Sequence, residues 1–202
     1  MKNSIRLLLT SVFCSVLVFS FSTGTAASQS TNQQSVPHME SADQRTGDQL
    51  KAVAKRVRHE LVMLPYYSVF DWLEGEVKPD GSVTLRGEVV RPSSKSDAEF
   101  RIKRIESVTN VVNEIRVLPL STMDDGLRIA LYRAVFYSNS SLARYSLGAV
   151  SPIHIIVQNG RATLKGVVAS EMDKQLAYLS ARGVPGLFEV KNELMTEYKA
   201  AN

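Results

Sequence analysis

The sequence predicts an α+β protein built from two tandem α-β-β-α-β units, each a small three-stranded mixed sheet with two helices on one face. Three observations carry this expectation. The first is an internal repeat: VTLRGEVVRPSSKSDAEFRIKRIESVTNVVNEI, from Val83 to Ile115, aligns without a gap to ATLKGVVASEMDKQLAYLSARGVPGLFEVKNEL, from Ala162 to Leu194. Thr84 meets Thr163, Leu85 meets Leu164, Gly87 meets Gly166, Val89 meets Val168, Ala98 meets Ala177, Val111 meets Val190, Asn113 meets Asn192 and Glu114 meets Glu193. The second is that each copy alternates as a strand and then recurs at helical spacing. The third is a turn sequence, KPDG at Lys78–Gly81 and QNG at Gln158–Gly160, ahead of each copy, as a hairpin requires.

The elements follow in chain order. Leu50, Val53, Ala54, Val57 and Leu61 form one apolar stripe of a helix, with Lys51, Lys55, Arg58 and His59 pointing elsewhere. Pro65 ends it, and Tyr66–Leu73 leads into a strand carrying Leu73, Gly75 and Val77 on one side. After the turn, Val83, Leu85, Gly87 and Val89 alternate with Thr84, Arg86 and Glu88, so one face is core and the other wet. Ser94 and Asp97 resemble a capping box before a helix containing Ala98, Ile102 and Ile105, and a strand from Val111 to Val117 closes the unit. A crossover makes that strand parallel to its partner, whereas the hairpin is antiparallel.

In the second unit, Asp124-Asp125 should cap a helix that begins near Leu127 and ends at Ser138–Ser141. Ala143–Pro152 reads as an extended connection, followed by a strand with Ile153, Ile155 and Val157, a strand with Ala162, Leu164, Gly166 and Val168, a helix capped by Ser170–Asp173, and a final strand over Leu187–Leu194. Gly87 and Gly166 should let a helix pack closely on the sheet. Asn113 and Asn192, each among residues alternating apolar on one face, should make structural side-chain hydrogen bonds to nearby backbone.

The N-terminus has a different composition. Lys2 and Arg6 precede a weakly polar run from Leu7 to Phe21 and then small residues through Ala27, the order of a secretory signal peptide, with cleavage near Ala26 or Ala27. The run is shorter than the ~20 residues a spanning helix needs. Cys14, the only cysteine, lies inside that run, so the mature chain would have no disulfide, thiol nucleophile or cysteine-based zinc site. Loss of Lys2 and Arg6 takes the net charge from +4 to +2, too mild for a dedicated nucleic-acid binder. The expected organisation is a signal peptide over 1–27, a flexible polar leader over 28–47, the first unit over 48–118, a linker over 119–123, the second unit over 124–197 and a tail over 198–202.

Two copies of V/A-T-L-x-G-x-V, a capped helix with a central alanine, and V-x-N-E-I/L resemble the BON domain, the bacterial OsmY and nodulation module, over about Asp48–Glu197. The family's glycine before the last strand is present at Gly186 but replaced by Ser107 in the first copy. The resemblance implies an exported, periplasmic or secreted, non-enzymatic protein linked to anionic phospholipid and envelope integrity. The alternative is a protein-interaction module in which the Tyr66–Trp72 segment or an exposed sheet edge docks another envelope protein.

The residues themselves offer little for catalysis. The three histidines, His38, His59 and His154, are scattered, and no H-E-x-x-H, G-x-S-x-G or phosphate-cradling loop is present. Accordingly no catalytic residue, metal ligand or cofactor is expected, and His154 reads as a strand-face residue. A binding site should lie where the copies differ. Tyr66, Tyr67, Phe70 and Trp72 crowd the connection before the first hairpin, and Arg91, Lys95, Arg101, Lys103 and Arg104 lie on or beside the second helix. Aromatic and basic groups together suit a membrane interface, where each cation near anionic lipid contributes on the order of 1 kcal/mol. The aromatics could equally fill a seam between the units.

Overall fold

A computed structural model describes residues 5–6, 42–138 and 140–197. The elements run β1 (Ile5–Arg6), α1 (Ala42–Val62), β2 (Trp72–Val77), β3 (Ser82–Val89), α2 (Pro92–Lys103), β4 (Asn110–Asn113), β5 (Arg116–Val117), α3 (Thr122–Phe136), α4 (Ser140–Ala143), a 3-10 turn (Arg144–Ser146), β6 (Ile153–Gln158), β7 (Arg161–Val168), α5 (Glu171–Arg182) and β8 (Glu189–Thr196). The expected α+β tandem is present. Most of the expected signal peptide and leader, and the tail, lie outside the described residues. Ile5–Arg6 pairs with Val77 and Glu76 at the edge of β2, and α1 starts at Ala42, inside the stretch expected to be leader.

In each unit the hairpin is antiparallel and the crossover strand parallel. Leu73 faces Gly87 and Gly75 faces Leu85 across β2 and β3, while Val83 pairs with Val111 and Val89 with Val117. Ile155 faces Leu164, and Leu164 pairs in parallel with Asn192. The inward set of each sheet meets its two helices. Val57, Leu61, Ala98 and Ile102 cover Leu73, Val83, Leu85 and Val89 in the first core, and Leu131, Val135, Ala177 and Ala181 cover Ile153, Ile155, Leu164 and Leu194 in the second. Alternation at period two is what leaves the opposite sheet face free of helices.

The repeated asparagines hold the parallel strand to the helix above it. Asn113 Nδ2 donates to the Lys95 carbonyl at 3.0 Å and its Oδ1 accepts from Ile115 N at 3.2 Å. Asn192 does the same with Lys174 at 3.1 Å and Leu194 at 3.2 Å. In the first unit the strand expected over Val111–Val117 is interrupted between β4 and β5, next to this bond; in the second it runs unbroken over Glu189–Thr196.

Several local expectations are corrected. Gly87 and Gly166 sit at φ +124° and +121°, and a Cβ would lie 1.9 Å from the Trp72 or Pro152 carbonyl oxygen. Their role is therefore a close approach to the neighbouring strand's backbone in a conformation L side chains rarely adopt, rather than helix packing. Helix proximity matters instead at Gly75, where a Cβ would meet Val57 Cγ1 at 2.6 Å. Asn159 and Gly160, at φ 52° and 72°, give the second hairpin its tight turn.

The capping residues also move. Helix α2 starts with Pro92 behind Arg91, without a side-chain cap, and Ser94 is buried within its first turn. Ser121, not Asp124 or Asp125, caps α3 by accepting from Asp124 N at 3.1 Å. Asp124 instead accepts from Asn159 N and Gly160 N at 2.9 and 2.8 Å, tying the hairpin turn to the helix. Ser170 caps α5 as expected. The connection expected to be extended over Ala143–Pro152 begins with the end of α4 and the 3-10 turn. A polar cluster fixes it: Tyr145 Oη donates to Asp173 at 3.0 Å and accepts from Ala169 N at 2.9 Å, while Arg144 donates to Asp173 at 2.7 Å.

Candidate functional site

The segment between α1 and β2 is built around Asp71, which is 2% exposed. Its Oδ2 accepts from Ser68 N and Oγ at 2.9 and 2.7 Å, and its Oδ1 accepts from Val90 N at 2.7 Å. A carboxylate with three such donors keeps its charge satisfied without a cation and locks the loop to the end of β3. The loop also touches the edge of the second sheet, where Val69 O accepts from Ile155 N of β6 at 2.8 Å.

The seam between the units lies on the helix-free sheet faces. Trp72, Leu118 and Ile156 form its buried centre with Val90 packed beside them. His154, 1% exposed, stands between Trp72 and Tyr67 with ring centroids 5.2 and 5.4 Å away. The Tyr67 hydroxyl is 3.5 Å from His154 Nε2, and Nδ1 has no hydrogen-bond partner. Burial lowers the histidine's pKa to about 4, partly offset by backbone groups of Asp71, Ser68 and Ser151. Burial likewise raises the Tyr67 phenol, with Asp71 adding to the effect. At the seam's margin Lys165 lies 3.6 Å from the Glu88 carboxylate and 5.9 Å from the Trp72 ring centre.

These contacts decide where the aromatic candidates stand. Trp72 is 4% exposed and donates from Nε1 to Glu74 at 2.6 Å, so it has no surface to offer a partner. Tyr67 packs on the first core and Phe70 on the second, with Phe70 edge-on to Tyr132 at 6.2 Å. Of the four, Tyr66 is the most open, and it lies under the Arg91 guanidinium at 4.6 Å.

The basic candidates divide as well. Lys95 is half-buried, with its carbonyl committed to Asn113. Lys103 binds Glu99 at 2.6 Å, and that bond, followed by the one from Asn113, holds the Glu99 carboxyl below its usual range. Arg101 and Arg104 project into a cleft of about 580 Å³ between α1 and α2. There Arg101 pairs with Glu60 at 3.3 Å, and Arg104 lies 5.4 Å from the centre of the Phe100 ring. Arg56, Pro65, Asp97 and Ile105 complete the lining. Three guanidiniums thus face two carboxylates, beside a phenyl ring that is 62% exposed.

Sequence reasoning missed Arg56 and Phe100. The signal for Phe100 was its place on the outward side of a helix whose Ala98 and Ile102 face the core, and the matching position, Leu179, is 61% exposed. No group of three or more His, Cys, Asp or Glu residues placed for a metal occurs among the described residues. No helix among them is long and apolar enough to cross a membrane.

Comparison with known proteins gives the context. Two solved structures of CdsD, a structural protein of the type III secretion system of Chlamydia trachomatis, are similar to this chain. One, of the C-terminal domain, has 14% identity over 68% of this chain and 93% of the other, with a TM-score of 0.28. The second has 12% identity over 74% and 95%, with a TM-score of 0.28. No curated protein matches. The BON domain matches twice, over residues 51–119 and 139–197, which supports a non-catalytic, envelope-associated role. With more than half of its residues in these two matches, the chain belongs to the BON domain family and contains two BON domains in tandem.

Proposed function

We propose that this tandem BON protein is exported and associates reversibly with the envelope by binding anionic phospholipid through the cleft between α1 and α2. One observation carries the reading: Arg56 of α1 and Arg101 and Arg104 at the end of α2 line one cleft with the exposed Phe100 ring. A phenyl ring can enter the headgroup layer while the guanidiniums remain at phosphate depth, and Arg forms forked bonds to phosphate oxygens. Arg56 and Arg104 make no ion pair among the described residues, so binding need not break one. Export rests on the charge, apolar run and small residues of the N-terminal stretch.

Docking of another envelope protein on the Tyr66–Trp72 segment has less support, since Val69 and Trp72 are already committed to the second unit. Co-sedimentation with vesicles tests the proposal. Wild-type protein should pellet with anionic vesicles at low salt, much less at high salt and not with neutral vesicles. Arg104→Glu should reduce pelleting, and equal absence from anionic and neutral pellets at low salt would overturn the reading.

A further inference from the structure

We propose that the crevice between the two units is a second site, which takes a single-chain anionic amphiphile with its carboxylate on Arg91 and Arg128 and its tail against Phe70 and Ile129. The crevice, about 340 Å³, lies between the Asp71-centred loop and α3, apart from the helix cleft. Its size is at the lower end of small-molecule sites, and its apolar walls come from both units.

The donors that would hold the head are already in place. Arg128 is 4% exposed, donating from one terminal nitrogen to Asp125 and from the other to Val157 O at 2.8 Å, and its Nε has no partner. A buried guanidinium nitrogen without an acceptor is costly, and an entering anion removes that cost. Arg91 makes no ion pair among the described residues and is held over the Tyr66 ring. Of the two carboxylates nearby, Asp71 already accepts from Ser68 and Val90, and Asp125 accepts from Arg128. The four formal charges cancel, so the head would be held by the guanidinium donors still without an acceptor among the described residues, Arg128 Nε and those of Arg91, rather than by net charge.

The same bonds argue for an acyl chain over a peptide. Ser68 N, Phe70 N and Val90 N are spent on Asp71 and Ser68, and Val69 O is spent on Ile155 N. A peptide's amides would find these main-chain partners taken, whereas an alkyl chain needs none. Occupancy would join the first unit's loop to the second unit's helix and stiffen the pair.

Decanoate below its micelle threshold is the probe, with decanol as the uncharged control, titrated into the purified full chain by calorimetry with thermal unfolding alongside. We expect saturable decanoate binding, a raised midpoint, decanol at least about tenfold weaker, and a loss of at least about tenfold in Arg91→Ala. Ile129→Asp, at a half-exposed position that keeps the fold, should also weaken it. No saturable binding, equal affinity for decanol, or unchanged affinity in both variants overturns the proposal. Arg104→Glu should leave decanoate binding intact while impairing vesicle binding, so this site and the helix cleft fail separately.

Discussion

Acidification should loosen the seam through His154. The unfolded imidazole takes its proton near pH 6.5, whereas burial between Trp72 and Tyr67 lowers the folded value to about 4. Between those values the unfolded chain binds more protons than the folded one, so stability must fall as the pH drops. The neutral ring's full contribution is present above pH 6.5 and is lost progressively down to about pH 4. That interval corresponds to about 3 kcal/mol, a substantial fraction of an ordinary domain's stability.

The assay is urea unfolding of wild type and His154→Phe at about pH 7.5 and about pH 4.5, with the double difference isolating the histidine from carboxylates that titrate in both proteins. Phenylalanine keeps the ring stack and His154 Nδ1 has no bond to lose, while the 3.5 Å contact of Nε2 with the Tyr67 hydroxyl is missing from the variant at both pH values and cancels in the double difference. Wild type should lose about 2 to 3 kcal/mol more than the variant over this range. Parallel loss in the two proteins would refute the buried neutral ring.

Three further predictions concern the framework of the two units. Gly87→Ala or Gly166→Ala should each cost about 3 kcal/mol or more in denaturant unfolding, because the new Cβ would collide with a carbonyl oxygen at a strained positive φ. Asn192→Ala should cost about 2 kcal/mol by removing the bonds to Lys174 O and Leu194 N, with faster amide exchange at Leu194. Asp124→Ala should cost a similar amount, about 2 kcal/mol, and expose the Asn159 and Gly160 amides to exchange, since both donate to that carboxylate.

The fold was legible because its determinants are local and occur twice. Alternation in β3 and β7, the Asn159-Gly160 turn and the Ser170 cap each act within a few residues, and the repeat doubles the signal. The backbone role of Asn113 and Asn192 was legible for the same reason. What sequence could not supply was which carboxylate meets which distant amide: Asp124 looks like a helix-start residue but serves a turn 35 residues further along the chain. Glycine at Gly87 shows only that a Cβ is unwelcome; the obstructing atom belongs to Trp72.

The candidate site was only half legible. An aromatic run such as Tyr66–Trp72 has the same composition whether it fills a seam or meets a membrane, and the choice rested on how the helix-free sheet faces oppose each other. Arg101 and Arg104 were visible as helix cations, but their convergence with Arg56 requires α1 and α2 side by side. Phe100 was hidden by its own hydrophobicity, which reads as core until its side of the helix is counted.

The central claim, that the α1–α2 cleft meets an anionic bilayer, is tested most directly with Phe100→Trp. The native Trp72 is buried and provides a constant background, so the new indole reports on the cleft alone. Adding anionic vesicles should blue-shift its emission and make it quenchable by brominated lipid, with no change on adding neutral vesicles. An emission maximum that stays at its solvent-exposed position while the protein pellets with anionic vesicles would contradict the account, because the bilayer would then be held by some other surface.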